Sequence, residues 1–267
     1  MALYDPFETK TSFEYLEKVV NILEEPICLL GGWGVYLTVN EQFKKENTTN
    51  YHGSRDIDLG FHIKPSLDEK ELGKSTIKKT IDILKGNGFE PERWHYYKIV
   101  EYGTNKELSL KEAEKKQTHD IFKIYVDLIV DYVHPSFNKV FNFDPIDEAF
   151  LTQVFENKSK RKYFKEFKKP LWIPTADVLL ASKIKSAITR TDDKYTKDIC
   201  DIYALCWYSD ITFRDMMVKA HDLLDKKYFE KLKERINKDR SVFYNAEIAI
   251  NIDAEIISNT FLELLQK

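Results

Sequence analysis

Asp56 and Asp58 stand two residues apart in Arg55–Ile63, a stretch whose alternation of apolar and polar residues reads as a strand. Alternation puts both carboxylates on one face and Ile57 and Leu59 on the other. Two carboxylates a few ångströms apart repel each other and raise at least one pKa unless a cation sits between them. A hard divalent ion such as Mg²⁺ (or Mn²⁺) takes such oxygens and keeps waters and substrate phosphates in its remaining positions. In two-metal phosphoryl chemistry one ion activates the attacking oxygen and the other steadies the leaving group. A third carboxylate would come from a neighbouring strand. The apolar run Tyr125–Val130 contains one, Asp127, and a lone charge there is costly unless it is paired or binds metal. Asp131 has the same strand parity, so alternation alone does not choose. Asp127 is favoured because apolar residues flank it on both sides, whereas Asp131 nears the strand end before Pro135.

Asp-x-Asp by itself marks a turn or a solvated strand far more often than a metal site. A second feature upstream changes its weight. Gly31-Gly32 follows the apolar run Ile27–Leu30 and opens a helix expected from Trp33 to about Val39. Backbone N–H groups at such a turn and helix start can receive phosphate oxygens. A glycine pair alone could merely permit a tight turn. Together the two features point to a phosphate-bearing substrate beside a divalent cation.

The elements that must position these residues read as follows. Thr11 and Glu14 have capping-box spacing before a helix that ends by Pro26. Ile27–Leu30 is a buried strand. The polar stretch from Glu41 to Gly53 is a loop or a partly helical extension. Glu69–Leu84 reads as one helix closed by Gly86-Asn87-Gly88, and Phe89–Tyr102 and His119–Val133 read as strands. After Pro145 helical periodicity dominates: Glu148–Phe155, Thr175–Ile188 with Thr175 as N-cap, Lys194–Tyr208, Phe213–Leu224 and Ala254–Leu265. The expectation is an α+β fold, a mixed sheet with helices over residues 1–145, then a mainly helical half over 146–267. Asn157–Lys169 is the most linker-like stretch, with seven basic residues: Lys158, Lys160, Arg161, Lys162, Lys165, Lys168 and Lys169. Such a run is usually a solvated face, while its aromatics Tyr163, Phe164 and Phe167 leave a polyanion contact as the minority reading. The Trp94–Tyr97 cluster reads as a sheet face rather than a base-stacking surface, and His52 as a loop residue.

Composition removes several classes. The 267 residues are 43% hydrophobic and 32% charged, with a net charge of −3, so no global field advertises nucleic acid or an anionic membrane. Cys28, Cys200 and Cys206 are odd in number, lack metal-ligand spacing and sit among apolar residues, so a reducing cytoplasm is expected. No run approaches the ~20 apolar residues of a membrane span, and no signal core opens the chain, so no membrane partner is expected. There is no Gly-x-x-x-x-Gly-Lys-Ser/Thr loop, no Gly-x-Ser-x-Gly elbow and no His-x-x-x-His pair.

Leu30–Leu37 (Leu-Gly-Gly-Trp-Gly-Val-Tyr-Leu) followed by Ser54-Arg55-Asp56-Ile57-Asp58-Leu59 resembles the glycine-pair and Asp-x-Asp signature of the DNA polymerase β-like nucleotidyltransferase superfamily. The branch it is most similar to contains the abortive-infection toxins of the AbiE type (AbiEii-like). Ala176–Lys183, Ala187, Arg190 and Lys197–Ile202 resemble that branch's helical motif. The resemblance implies metal binding and catalysis by Asp56, Asp58 and Asp127. It implies nucleotide contacts by Gly31, Gly32, Ser54 and Arg55, with Lys183 and Asp198 contributed by the helical half. It further implies an NTP substrate and transfer of a nucleoside monophosphate, with release of pyrophosphate, to tRNA, a protein or a small molecule, and an antitoxin as partner. The chain departs from the pattern at Gly34, where many relatives carry alanine, at His52, where they carry a basic residue, and in a polar insertion around Lys44–Asn50. The rival expectations are an antibiotic nucleotidyltransferase of the aminoglycoside or lincosamide kind, and a non-catalytic nucleotide-binding module that retains the fold.

Overall fold

The computed structural model describes residues 3–266. Helix α1 (Pro6–Ile22) starts earlier than expected: Asp5 caps it by accepting from the Phe7 amide at 2.7 Å, and Pro6 sits at its first position. An acidic N-cap followed by proline is the stronger start signal. Thr11 and Ser12 therefore lie buried inside the helix, where Thr11 donates to Asn105 and Ser12 accepts from the Trp33 indole. Strand β1 (Cys28–Leu29) leads into α2 (Gly31–Asn47), which absorbs most of the expected loop; the Asn40 side chain then accepts from the Tyr51 amide at 2.7 Å. Strand β2 is Ile57–Phe61.

The expected Glu69–Leu84 helix is two, α3 (Glu69–Leu72) and α4 (Thr76–Gly86). Asp68 and Glu71 form a complete capping box on the first, and Gly73 and Ser75 break the run and restart it. The expected strand Phe89–Tyr102 is a hairpin, β3 (Glu90–Glu92) and β4 (His95–Glu101), turning at Arg93 with φ 58°. Then come β5 (Glu107–Leu108), α5 (Leu110–Ala113), β6 (Ile121–Val130), α6 (Phe137–Phe141), β7 (Ile146–Asp147) and α7 (Phe150–Glu156). The stretch expected to be linker-like is a second hairpin, β8 (Arg161–Phe164) and β9 (Leu171–Pro174). Its charge hides the strand, because an edge strand exposes its side chains to water and needs few apolar residues.

Helices α8 (Ala176–Thr189), α9 (Asp192–Tyr208), α10 (Phe213–Leu223), α11 (Lys226–Lys238), α12 (Val242–Ile250) and α13 (Ala254–Leu264) complete the chain. Two of these, α11 and α12, were not expected. α11 buries Phe229, Leu232 and Ile236, spaced along one face of a helix whose other residues are mostly charged, so its periodicity was present in the sequence. Among the described residues no helix is long and apolar enough to cross a membrane. All three cysteines are free and buried.

The fold is α+β, and the chain divides into two compact units. One holds Asp5–Trp33 and Gly53–Pro174, and with them the whole sheet. The other holds Gly34–His52 and the chain from Thr175 onward, and is helical. The break thus falls after Pro174 rather than at 145, because the β8–β9 hairpin completes the sheet. Most of α2 counts with the helical unit, where Phe43 packs edge-on against Tyr208, ring centroids 4.9 Å apart.

The sheet is mixed, in the order β3-β4-β6-β2-β1-β9-β8. β2 and β6 are parallel, as are β1 and β9; β1 with β2, β4 with β6 and β8 with β9 are antiparallel. Strand β6 lies between two neighbours and alternates accordingly. Phe122, Ile124, Val126, Leu128 and Val130 are buried on one face, joined there by Ile57, Leu59 and Phe61 of β2. The opposite face carries the polar residues that matter below.

Candidate functional site

Asp58 and Asp127 are direct register partners on the parallel strands β2 and β6. Register partners point to the same side of a sheet, so both carboxylates stand on the face opposite the Ile57–Leu59 core. Asp127 is in turn the register partner of His95 on antiparallel β4. Three adjacent strands thus set Asp58, Asp127 and His95 in one row. The His95 Nδ1 is hydrogen-bonded to Asp127 Oδ1, and its ring lies 4.8 Å from Trp94 and 5.2 Å from Tyr125, centroid to centroid.

Gly31 joins this row from the end of β1. The Leu30 amide donates to the Asp58 carbonyl at 2.9 Å, which draws the β1–α2 turn against β2. Gly31 has φ +59°, and a Cβ on it would lie 1.7 Å from Asp58 Oδ2. Both the backbone conformation and the carboxylate therefore require glycine. Gly31 and Gly32 form the first turn of α2, whose leading N–H groups lack partners within the helix.

Asp56 lies just ahead of β2 and is half-buried. Ser54 is buried, and Arg55 is exposed and bound through Nε to Glu8 of α1 at 2.9 Å. Burial pushes the Glu8 carboxyl up; Arg55 opposes this, while Asp5 and Asp56 add to it. Asp56 therefore belongs to an acidic neighbourhood shared with α1. Among the described residues no three His, Cys, Asp or Glu side chains are gathered as a metal site. Asp58 and Asp127 are paired by the strands; Asp56 stands at the strand entry.

Asp131, the open alternative to Asp127, lies one residue beyond β6 with its oxygens fully engaged. It accepts from the Ile63 amide at 2.8 Å and from Thr152 Oγ1 at 3.1 Å, and pairs with His62 Nδ1 at 2.5 Å. Among the described residues, His95 is the one hydrogen-bond partner of Asp127. Asp131 is a structural carboxylate that ties the end of β6 to Ile63 and α7; Asp127 is the one in register with Asp58.

Lys183 and Asp198 belong to the helical unit, which carries its own buried network. Lys183 Nζ lies 2.8 Å from Asp198 Oδ1 and 2.7 Å from Asp201 Oδ2. Asp198 also accepts from Ser186 at 2.8 Å and pairs with Arg190 at 3.2 Å. Asp201 accepts from Tyr51 at 2.8 Å and from Lys197 at 2.5 Å. Both carboxylates are completely buried. Burial presses the Lys183 ammonium toward neutrality, but Asp198 and Asp201 outweigh it and raise its pKa. Burial likewise disfavours the Asp201 carboxylate, yet Lys183 and Lys197 hold it well below the usual range. His52 is a loop residue, as expected, and lies beside this network with Nε2 3.8 Å from Asp201; burial, aided by Lys197, lowers its pKa to about 4.

His95 is the site residue that sequence reasoning missed. Its strand was legible, but the antiparallel register that pairs it with Asp127 is a tertiary fact with no local signal.

No family model matches the chain, and no curated protein matches it. Among solved structures it is similar to an antigenic nucleotidyltransferase-like protein from Paracoccidioides brasiliensis, with 13% identity and a TM-score of 0.36, over 85% of this chain and 92% of that one.

Proposed function

We propose that this protein is a nucleotidyltransferase that moves a nucleoside monophosphate from an NTP to an acceptor, releasing pyrophosphate. The observation that carries the reading is the convergence of three sequence-distant features: the Gly31 turn at the start of α2, Asp58 lying against it, and Asp127 in register beside Asp58. The donor set suits a hard divalent cation. Mg²⁺ is commonly held by one or two carboxylates and completed by waters and phosphate oxygens, so Asp58 and Asp127 suffice as its core, with Asp56 at the strand entry as the further donor. Such an ion supplies charge neutralisation for the phosphates and lowers the pKa of a bound oxygen nucleophile. The first N–H groups of α2, at Gly31 and Gly32, are suited to hold phosphate oxygens. Asp127 would receive the proton of the acceptor hydroxyl.

For the acceptor, the β8–β9 hairpin favours a polyanion, and RNA in particular. β8 is the edge of the same sheet and carries exposed Lys162 beside exposed Lys158, Lys165 and Lys168. The Tyr163 ring is 54% exposed and edge-on to Trp172, over which the Arg161 guanidinium stacks at 3.8 Å. Cations interleaved with exposed rings are what single-stranded nucleic acid uses for backbone attraction and base stacking. A tRNA acceptor agrees with the toxin-like branch that the motifs resemble, and an antitoxin would then be a natural partner.

The test is transfer of label from each α-³²P NTP with Mg²⁺ to total tRNA, to protein and to small aminoglycosides, with Asp58→Asn as the control. RNA labelling that Asp58→Asn abolishes is the expected result. Labelling of an aminoglycoside alone would make it an antibiotic-modifying enzyme. No labelled acceptor, with NTP binding unchanged in Asp58→Asn, would leave only a non-catalytic module.

A further inference from the structure

We propose that His95 is a positioning residue, whose Nδ1 holds one oxygen of Asp127 and so aims the other toward the position beside Asp58. The inference rests on the reading of Asp58 and Asp127 as cation donors.

Two His–Asp pairs flank the course of β6, and they differ in a way that assigns them different work. His62–Asp131 is one interaction among several: Asp131 also takes the Ile63 amide and the Thr152 hydroxyl. Removing His62 would leave Asp131 anchored. Asp127 has only His95 among the described residues, and no backbone amide holds its side chain. Its orientation within the row therefore depends on one imidazole nitrogen.

That imidazole is itself well fixed. His95 is the antiparallel register partner of Asp127, its ring is tilted against Trp94 and Tyr125, and its side chain is 24% exposed. An outer residue that hydrogen-bonds a ligating carboxylate sets the carboxylate's direction, and its removal commonly weakens metal binding about 10- to 100-fold.

The nitrogen position makes this testable. Asparagine places an amide donor close to the place of Nδ1, whereas glutamine places it one methylene further out, near Nε2. Mn²⁺ binding, read by electron paramagnetic resonance of the free ion with and without α,β-methylene-ATP, should fall about 10- to 100-fold in His95→Ala and His95→Gln. His95→Asn should bind within about threefold of wild type, because it keeps a donor for Asp127 where Nδ1 stood. Melting temperature is recorded for each variant, and the Asn/Gln contrast decides the matter even if the alanine variant folds poorly. Equal binding by wild type, His95→Ala and His95→Gln would overturn the positioning role while leaving the donors in place, provided Asp58→Asn loses the ion. Equal weakening in His95→Asn and His95→Gln would also overturn it. Absence of Mn²⁺ binding by wild type, or unaltered binding by Asp58→Asn, would instead remove the cation reading itself.

Discussion

Gly31→Ala isolates the close approach on which the candidate site is built. The backbone at Gly31 has φ +59°, where an L-residue costs about 1–2 kcal/mol. The new Cβ would meet Asp58 Oδ2 at 1.7 Å, Cγ at 2.6 Å and Cβ at 3.1 Å, where real Cβ atoms keep at least 3.0 Å from their neighbours. Because the clash reaches past the tip, the Asp58 carboxyl group must swing as a whole. The swing must move Cγ and ease a tight contact at Cβ, so it adds to the backbone cost. The expected loss in urea unfolding is therefore at least about 1–2 kcal/mol. The functional loss is larger than stability alone would give: with Asp58 turned out of the row, Mn²⁺ affinity should fall at least about tenfold. Gly86→Ala serves as control, because a Cβ there meets nothing within 4 Å and its φ is ordinary; its change should lie between neutral and about 1 kcal/mol of stabilisation. A Gly31→Ala protein with wild-type stability and wild-type Mn²⁺ affinity would refute both the strain and the role of Asp58.

Asp131→Ala should cost about 2–4 kcal/mol in denaturant unfolding because it leaves the Ile63 amide, His62 and Thr152 without their acceptor, whereas Asp127→Asn should cost less than about 1 kcal/mol yet abolish Mn²⁺ binding. Lys183→Met should destabilise the protein by about 3–5 kcal/mol, read by thermal or urea unfolding, since it strands the fully buried Asp198 and Asp201. His52 has a depressed folded pKa of about 4 against 6.5, so its contribution is complete above about pH 6.5 and is lost as pH falls through 4. Unfolding free energy should fall by roughly 3 kcal/mol over that window, and a His52→Gln variant should lose that part of the pH dependence. Lys158, Lys162, Lys165 and Lys168 changed together to glutamine should lower the salt slope of single-stranded RNA binding, measured by fluorescence anisotropy, by roughly 0.7 for each phosphate no longer neutralised.

The sequence was informative where a local signal and the tertiary outcome coincide. The Gly31-Gly32 turn, the face taken by Asp58 and the embedded Asp127 are readable from neighbours in the chain, whereas Asp56, expected on the same strand, lies in the bend before it. Also readable are α8, α9, α10 and α13. The β8–β9 hairpin was hidden because an edge strand rich in lysine has the composition of a linker. The unit boundary followed from that miss, since a reading without β9 ends the sheet by residue 145. Pairing is a different kind of gap. That Asp127 faces Asp58 on one side and His95 on the other is set by register across strands far apart in sequence. No window along the chain contains it.

How many partners a buried carboxylate has then separates the acids that build the fold from those that can act. A carboxylate withdrawn from water must be compensated, and this chain does so to different degrees. Asp131, Asp198 and Asp201 each gather three or more donors, among them a backbone amide or buried cations. Their lone pairs are engaged, and another ligand could only displace what already holds them. Asp127 is 8% exposed but has a single imidazole among the described residues. It retains acceptor capacity beside a second carboxylate on the next strand. Evolving a stable sheet would favour filling that position with an apolar residue like its neighbours Val126 and Leu128, because replacing buried charge by hydrocarbon is often neutral or stabilising. A half-compensated acid on the register row that also meets a glycine in positive φ is the arrangement on which the proposed cation and phosphate site rests.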